Sequence, residues 1–503
     1  METQLNPQTH PLKLYVCGPT VYDESHLGHA RTYMTVDVLN RIMNTFDNKP
    51  TQLVMNITDI DDKIINKACT INTTWNTVAK KYEKSFFDAM AKLNVKLPDV
   101  IIRVSAVIPQ IITYIQKIID NGFAYVTSDQ SIYFDTNAYI SHGYSFNNYI
   151  DDDEQAYHST LSTVIRLQKR NPKDFALWKG RLEAEVGFDA EFMYNSSKIK
   201  SFGRPGWHIE CSTMIHETIG PNLDIHFGGI DLKFPHHYNE RLQAHAFYHP
   251  MFLNQETQTA QPIQTTQLNQ WTNSFLHVGH LCIKGLKMSK SLKNFTTIDE
   301  ALREINANQL RWMFTFHKWT DPMDFSDDTV AQARVFDTMM TNFLNRIINY
   351  PFDRSHVTYN DKENNLNDYF MIANNKIISE LRTFNLDSAN FMIFELINKT
   401  NAYIDMATPN ESLVRKIYDW ILNLVSNLGY SYQKSAAHSI TDVMDVLIST
   451  RSELRSLSRD KNVAADTKQK IFKILDYERN LLLPDIGIIL QDTKDSSSWF
   501  KKE

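Results

Sequence analysis

Leu12-Lys13-Leu14-Tyr15-Val16-Cys17-Gly18-Pro19, followed closely by His26-Leu27-Gly28-His29, decides the reading of this chain. Leu12, Leu14 and Val16 alternate with Lys13 and Tyr15, the period-two pattern of a strand, and Gly18-Pro19 breaks it just after Cys17. A helix is expected from His29 onward, because Val36, Leu39, Ile42, Met43 and Phe46 recur at spacings of three and four. Gln52 to Ile57 reads as a second buried strand. Strand, helix, strand in that order predicts an α/β fold: a parallel sheet with helical crossovers, whose ligands sit at the carboxyl ends of the strands. Cys17 and Thr58 both fall at that edge.

Near Pro98 the pattern changes. Residues 99–205 hold one apolar-periodic helix, Ile108 to Asn121, then hairpin-like pieces around Tyr125 to Phe134 and an acidic loop, Asp151 to Glu154. This reads as an insertion. The sheet pattern is expected to resume at Trp207 to Met214 and again at Leu223 to Phe227, so that the insertion splits one nucleotide-binding fold. Residues 254–274, rich in Gln, Thr and Asn, read as a solvent-exposed loop. From Asn308 to Arg479 nearly every segment has helical periodicity, as in Phe336 to Ile348 and Ala436 to Leu457.

With 503 residues there is room for several domains and a large core. A net charge of −6 argues against a surface coated in cations for nonspecific nucleic-acid binding, while leaving room for local basic clusters. Four cysteines, at 17, 69, 211 and 282, have no dense regular spacing, which favours a reduced, intracellular compartment. Met1 to Pro11 lacks a basic flank and a long apolar run, and no apolar stretch is long enough to span a bilayer. The expectation is a cytoplasmic protein without a membrane partner and with a monomeric state. Cys69 and Cys282 read as packing residues.

Cys17 and Cys211 can supply thiolates, and His236 and Glu240, four apart, would project from one helix face. Together they form a donor set suited to zinc, although no Cys-x-x-Cys knuckle accompanies them and a buried cysteine is commonly a small apolar residue. His26 and His29 can donate to phosphate oxygens, Gly28 lets the backbone approach a nucleotide, and a following helix N-terminus favours negative charge. Lys287-Met288-Ser289-Lys290-Ser291 adds two cations and hydroxyl donors, with Gly285 as a hinge beside them. Taken alone, each motif also suits a bland role: two histidines that cap a helix, or a lysine-rich solvated loop.

Tyr15-Val16-Cys17-Gly18-Pro19-Thr20-Val21-Tyr22-Asp23, Asn56-Ile57-Thr58-Asp59-Ile60-Asp61-Asp62-Lys63, Gly203-Arg204-Pro205-Gly206-Trp207-His208-Ile209-Glu210-Cys211-Ser212 and Phe234-Pro235-His236-His237 follow one another in a characteristic order. With the two signature elements, they resemble the cysteinyl-tRNA synthetases, class I aminoacyl-tRNA synthetases. Leu483-Pro484-Asp485-Ile486-Gly487 is similar to the tail of that family, and Arg103-Val104-Ser105 leans toward its eukaryotic cytosolic members. Three positions depart from the pattern. Leu27 replaces Ile, Tyr238 stands in place of Glu, and Phe227 occupies a position that is often Gly near the substrate pocket.

The resemblance implies a Rossmann-like class I synthetase catalytic domain split by an insertion, followed by an α-helical anticodon-binding domain. The boundaries expected are 1–98 and 206–307 for the catalytic halves, 99–205 for the insertion, 308–440 for a helical domain and 441–503 for anticodon recognition. It implies ATP-dependent activation of L-cysteine and transfer to cysteine tRNA. Zn2+ on Cys17, Cys211, His236 and Glu240 would select the thiolate, and Mg2+ would accompany ATP. His26, Gly28, His29, Lys287 and Lys290 would handle ATP, while Thr58, Trp207 and Asp231 would wall the pocket and hold the ammonium. Arg451, Arg455, Arg459, Lys461, Lys468, Lys470 and Lys473, with Tyr477, Trp499 and Phe500, would suit tRNA phosphates and bases. Two alternatives stay open: an inactive RNA-binding paralogue, and a ligase that transfers cysteine to an amino sugar.

Overall fold

In the computed structural model, Leu12–Val16 is the central strand of a five-stranded parallel sheet. The structure describes residues 10–47, 49–146, 168–180, 186–249, 271–288, 294–353, 355, 357–406, 408–432, 440–461, 463–485, 488–492 and 497–501. The strand order across the sheet is Thr272–Val278, Leu223–Gly229, Leu12–Val16, Thr51–Ile57, Val100–Arg103. The chain therefore leaves the central strand toward one edge and later returns to build the other. Such a reversal opens a crevice beyond the carboxyl ends of the strands, here at Cys17. Leu14, Tyr15 and Val16 are all buried, because a parallel sheet is covered on both faces.

The first helix spans Leu27–Thr45, starting two residues before the expected point. His26 caps it: its side chain accepts from the backbone of the first turn, and His29 returns the bond to the backbone of His26. Leu39, Ile42 and Met43 bury the expected face.

Ile108–Asp120 is a helix whose Ile111, Ile115 and Ile118 join a core continuous with Tyr15, Cys17 and Cys211. Ala124–Val126 and Ile132–Phe134 pair antiparallel, as expected, within a second five-stranded sheet completed by Ala176–Gly180, Ser197–Pro205 and Phe188–Tyr194. Asp151 to Glu154 lie outside the described residues.

Two readings of the sequence require correction. Trp207–Thr218 is a helix, not a strand. Every residue from His208 to Ile215 is buried, so no amphipathic stripe marks it. Residues 254–270 lie outside the described residues, but Thr272-Asn273-Ser274, read as loop, begin the strand Thr272–Val278 at the sheet edge. Polar side chains are tolerated there because Asn273 and Ser274 are exposed.

Helices Asp327–Asn349, Asp361–Arg382, Leu386–Asp405 and Glu411–Asn427 follow the parallel sheet. The chain divides into two compact units, Met1–Ser431 and Tyr432–Glu503. The second contains helices Ile440–Arg459 and Ala465–Tyr477 and an unexpected antiparallel hairpin, Ile488–Asp492 with Ser497–Lys501. Met444, Leu483, Ile488 and Leu490 form its core, with Trp499 packed against them.

That unit changes which of the cations singled out in the sequence are exposed. Arg451 is 1% exposed, with Nη1 2.8 Å from Glu478 and Nη2 3.1 Å from Asp492. Arg455 shares Asp492 at 3.5 Å. Both hold the unit together, since a buried guanidinium must be paired. Arg459, Lys461 and Lys473 are exposed, as are Phe472 and Tyr477. Cys69 is exposed, so it is not the packing residue expected, while Cys282 is half-buried. Among the described residues no helix is long and apolar enough to cross a membrane.

Candidate active site

Cys17 ends the central strand, and the turn after it admits only glycine. A Cβ on Gly18 would fall 1.6 Å from the Asn56 carbonyl oxygen, while the Gly18 N–H donates to Asn56 Oδ1 at 2.8 Å. The Cys17 N–H donates to the Phe227 carbonyl at 3.2 Å, and the departing residue Phe227 is itself fully buried in its strand.

The helix Trp207–Thr218 brings Cys211 up to the same edge, its Sγ 3.9 Å from that of Cys17. His236 and Glu240, from consecutive helical turns, complete the group, with Nε2 3.1 Å from Oε1. One donor atom from each of Cys17, Cys211, His236 and Glu240 lies within 4.8 Å of every other, and all four residues are buried.

Histidines surround these four. His226 Nε2 lies 2.9 Å from Glu240 Oε2, leaving Oε1 without a hydrogen-bond partner in a fully buried position. His208 and His236 share a proton between their Nδ1 atoms at 2.8 Å. Burial pushes His208 down to about 3 and holds His236 low as well, so both rings are neutral, and the tautomer in which His208 Nδ1 accepts from His236 turns the His236 Nε2 lone pair toward the cluster. His237 Nε2 sits 3.3 Å from Cys17 Sγ, and its Nδ1 is 2.9 Å from His277 Nε2. Burial holds His236 and His237 well below the ordinary imidazole value and brings His277 to about 4. The same burial raises both thiols and Glu240, opposed at Glu240 by His226. A bound dication reverses that direction by favouring the ionised donors.

A second set of donors, Cys17, His226, His237 and Glu240, overlaps the first. The orphaned Glu240 Oε1 faces His236 rather than His226, which favours the first set. His226, His237, His208 and His277 were missed as a shell because they come from separate elements, and His226 occupies an ordinary strand position. The doubled histidine at 236–237 was the one available signal.

Trp207 is 40% exposed and stacks on His236 with ring centroids 4.3 Å apart, a wall beside the cluster. Thr58 is buried and bridges to Thr20 at the same sheet edge. The rings of His26 and His29 stack at 3.9 Å. Nδ1 of His26 accepts from the Gly28 N–H at 3.1 Å, and Nδ1 of His29 accepts from the His26 N–H at 3.2 Å. Each neutral ring therefore carries its proton on Nε2. Lys287 pairs with Asp231. Its Nζ lies 3.5 Å from Asp231 Oδ2. Lys290 lies outside the described residues. Tyr238 is buried, with the Arg241 guanidinium 5.2 Å from its ring centroid, and Glu240 is placed independently of it.

Residues 4–335 match the family model described as the tRNA synthetases class I (C) catalytic domain. The cysteine–tRNA ligase of Acanthamoeba polyphaga mimivirus is 52% identical over 508 residues, covering 100% of this chain and 98% of that protein. The chain belongs to the cysteine–tRNA ligase family. A cysteine–tRNA ligase of Encephalitozoon cuniculi is 35% identical, covering 98% of this chain and 95% of its own. The fold is also that of a Mycobacterium tuberculosis methionyl-tRNA synthetase solved with methionyl-adenylate, at a TM-score of 0.55 and 13% identity, covering 87% and 94% of the two chains. In this family context the parallel sheet is the class I catalytic core, and the buried Cys/Cys/His/Glu cluster at its edge can hold a metal ion.

Proposed function

We infer that this chain activates L-cysteine with ATP and transfers it to cysteine tRNA. The observation that carries the reading is the buried Cys17, Cys211, His236, Glu240 cluster at the sheet's point of reversal. We further infer that the cluster holds zinc. The 3.9 Å between its sulfurs suits the roughly 3.8 Å that separates two thiolates on a tetrahedral zinc, and Glu240 Oε1 is an acceptor in need of a partner. When bound, zinc would supply a soft coordination position that favours a substrate thiolate over the hydroxyl of serine. Packing alone would separate the two by only about 1–3 kcal/mol.

The remaining work falls to side chains of the protein. Trp207 walls the pocket, Thr58 lines its floor, and Asp231 holds the substrate ammonium. A carboxylate oxygen of cysteine attacks the α-phosphorus of ATP, the bond to the bridging oxygen breaks, and pyrophosphate leaves. His26 and His29 donate their Nε2–H groups to phosphate oxygens, and Gly28 leaves the backbone open to the nucleotide at the helix N-terminus. Lys287 and Lys290 neutralise the charge that develops on the leaving group, together with magnesium carried by ATP. The terminal ribose hydroxyl of the tRNA then takes the cysteinyl group and AMP departs. Catalysis is positioning and charge stabilisation, with no protein nucleophile.

In this reading residues 1–98 and 206–307 are the catalytic halves, 99–205 the insertion, 308–440 a helical domain and 441–503 the anticodon reader. The C-terminal unit and the complete donor set both count against an amino-sugar ligase and an inactive paralogue. Cysteine-dependent exchange of labelled pyrophosphate into ATP, followed by charging of cysteine tRNA, tests the proposal. Deleting residues 432–503 is expected to lower charging about tenfold or more, the loss of a stacked base or two, while exchange stays within about twofold of the full chain. Equal loss of both activities would assign that unit a purely structural role.

A further inference from the structure

We propose that Arg31 is a positioning residue that clamps the hairpin carrying Lys287 to the helix carrying His26 and His29. Arg31 is 1% exposed. Its Nη1 donates to the His280 carbonyl and its Nη2 to the Asp321 carbonyl, each at 2.5 Å. The His280 carbonyl directly precedes the short strand Leu281–Ile283, and the Asp321 carbonyl lies two residues before its parallel partner Met323–Asp324. The first of these turns through Lys284 and Gly285 into Leu286–Lys287.

The approach beneath the guanidinium is close. A Cβ on Gly279 would lie 2.2 Å from the Asp321 carbonyl oxygen. On the far side of the signature loop the chain returns to the same helix turn. The Leu27 N–H donates to the Thr296 carbonyl at 3.0 Å, His26 bridges to Thr297, and the Ile298 N–H donates to the Ser25 carbonyl at 3.0 Å. Leu27 and Arg31 are one turn apart on one face of the helix. Both stems of the loop are thus anchored to the turn that presents the histidine pair.

An arginine suits this position through its fork. Two parallel N–H groups hold two carbonyls at a fixed spacing, which a lysine ammonium cannot do. Burial lowers Arg31 to about 10, opposed by Cys282 and Asp321, so the clamp is charged throughout the neutral range. The geometry fixes where Lys287 stands relative to His26 and His29. A displacement of about 1 Å in such a group costs up to about a hundredfold in rate.

This proposal rests on the adenylate-forming reading, and its test separates the two. Pyrophosphate exchange is measured for Arg31→Met and Arg31→Lys, each alone and combined with Lys287→Ala. In the otherwise wild-type chain both changes are expected to lower kcat about 10- to 100-fold, with the KM for cysteine unchanged. In the Lys287→Ala background the further loss is expected to stay below about twofold, because the group being positioned is gone. An equal fall in both backgrounds, or a kcat that does not move, overturns the clamp. If Arg31→Met is not recovered folded, Arg31→Lys decides by the same criteria. A wild-type chain without cysteine-dependent exchange overturns the functional reading instead.

Discussion

Cys211→Ala is expected to lose its zinc and to lower cysteine-dependent pyrophosphate exchange by more than about a hundredfold, beyond the effect of removing an outer partner of a metal ligand. The reason lies in how the site is assembled. Cys211 reaches Cys17 only because the buried helix Trp207–Thr218 packs behind the sheet edge, and no other thiol among the described residues joins the cluster. Without it, Cys17, His236 and Glu240 remain of that set, while His226 approaches Glu240 Oε2 and His237 approaches Cys17 Sγ.

Cys211→Ser, close in shape, should behave in the same way, since a hydroxyl is a poor replacement for a thiolate. Residual activity in either variant is expected to discriminate against serine only as well as packing permits, about 1–3 kcal/mol. Metal analysis beside the kinetics makes the outcome decisive. Stoichiometric zinc in Cys211→Ala, together with its loss in His237→Ala, would shift the assignment to Cys17, His226, His237 and Glu240.

Much of this architecture was legible where the apolar residues keep the period of their element. The isoleucine stripe of Ile108–Asp120 follows from packing on one face, whereas Leu12–Val16 and Leu27–Thr45 kept a readable apolar period although Tyr15 and most of that helix are buried. Trp207–Thr218 was not legible because it is surrounded, so polar residues such as His208, Glu210 and Ser212 are buried beside Ile209 and Met214. The opposite circumstance hid Thr272–Val278: an edge strand may keep polar side chains and so resembles a loop. Arg451 illustrates a third limit. Its sequence neighbourhood of arginines and lysines suggests a surface, yet Glu478 and Asp492, supplied from elsewhere in the chain, turn it inward. Spacing could propose the four metal donors, but not the histidines that set their protonation, because those contacts run between side chains on different elements.

Lys290→Ala is expected to lower the rate of adenylate formation by on the order of 3 kcal/mol of transition-state stabilisation, more than about a hundredfold, comparable to the loss of one strong oxyanion donor. The loss should appear in kcat rather than in the KM for ATP or cysteine, because the charge it meets develops only as pyrophosphate departs. Lys287→Ala should cost less. Lys287 is paired with Asp231 at 3.5 Å, and both side chains are nearly half exposed, so the pair is weak and its cation is shared between a carboxylate and the phosphates. Removing Lys287 also frees Asp231 for the substrate ammonium, which partly offsets the loss by improving cysteine binding. The two lysines can therefore be told apart by which constant moves: kcat alone for Lys290→Ala, and a lower KM for cysteine with a smaller fall in kcat for Lys287→Ala. Rapid-quench measurement of adenylate formation resolves the step directly, and an unchanged rate in Lys290→Ala would remove that side chain from the reaction. Transfer from preformed cysteinyl-adenylate to tRNA should be nearly unaffected in both variants, since pyrophosphate has already left.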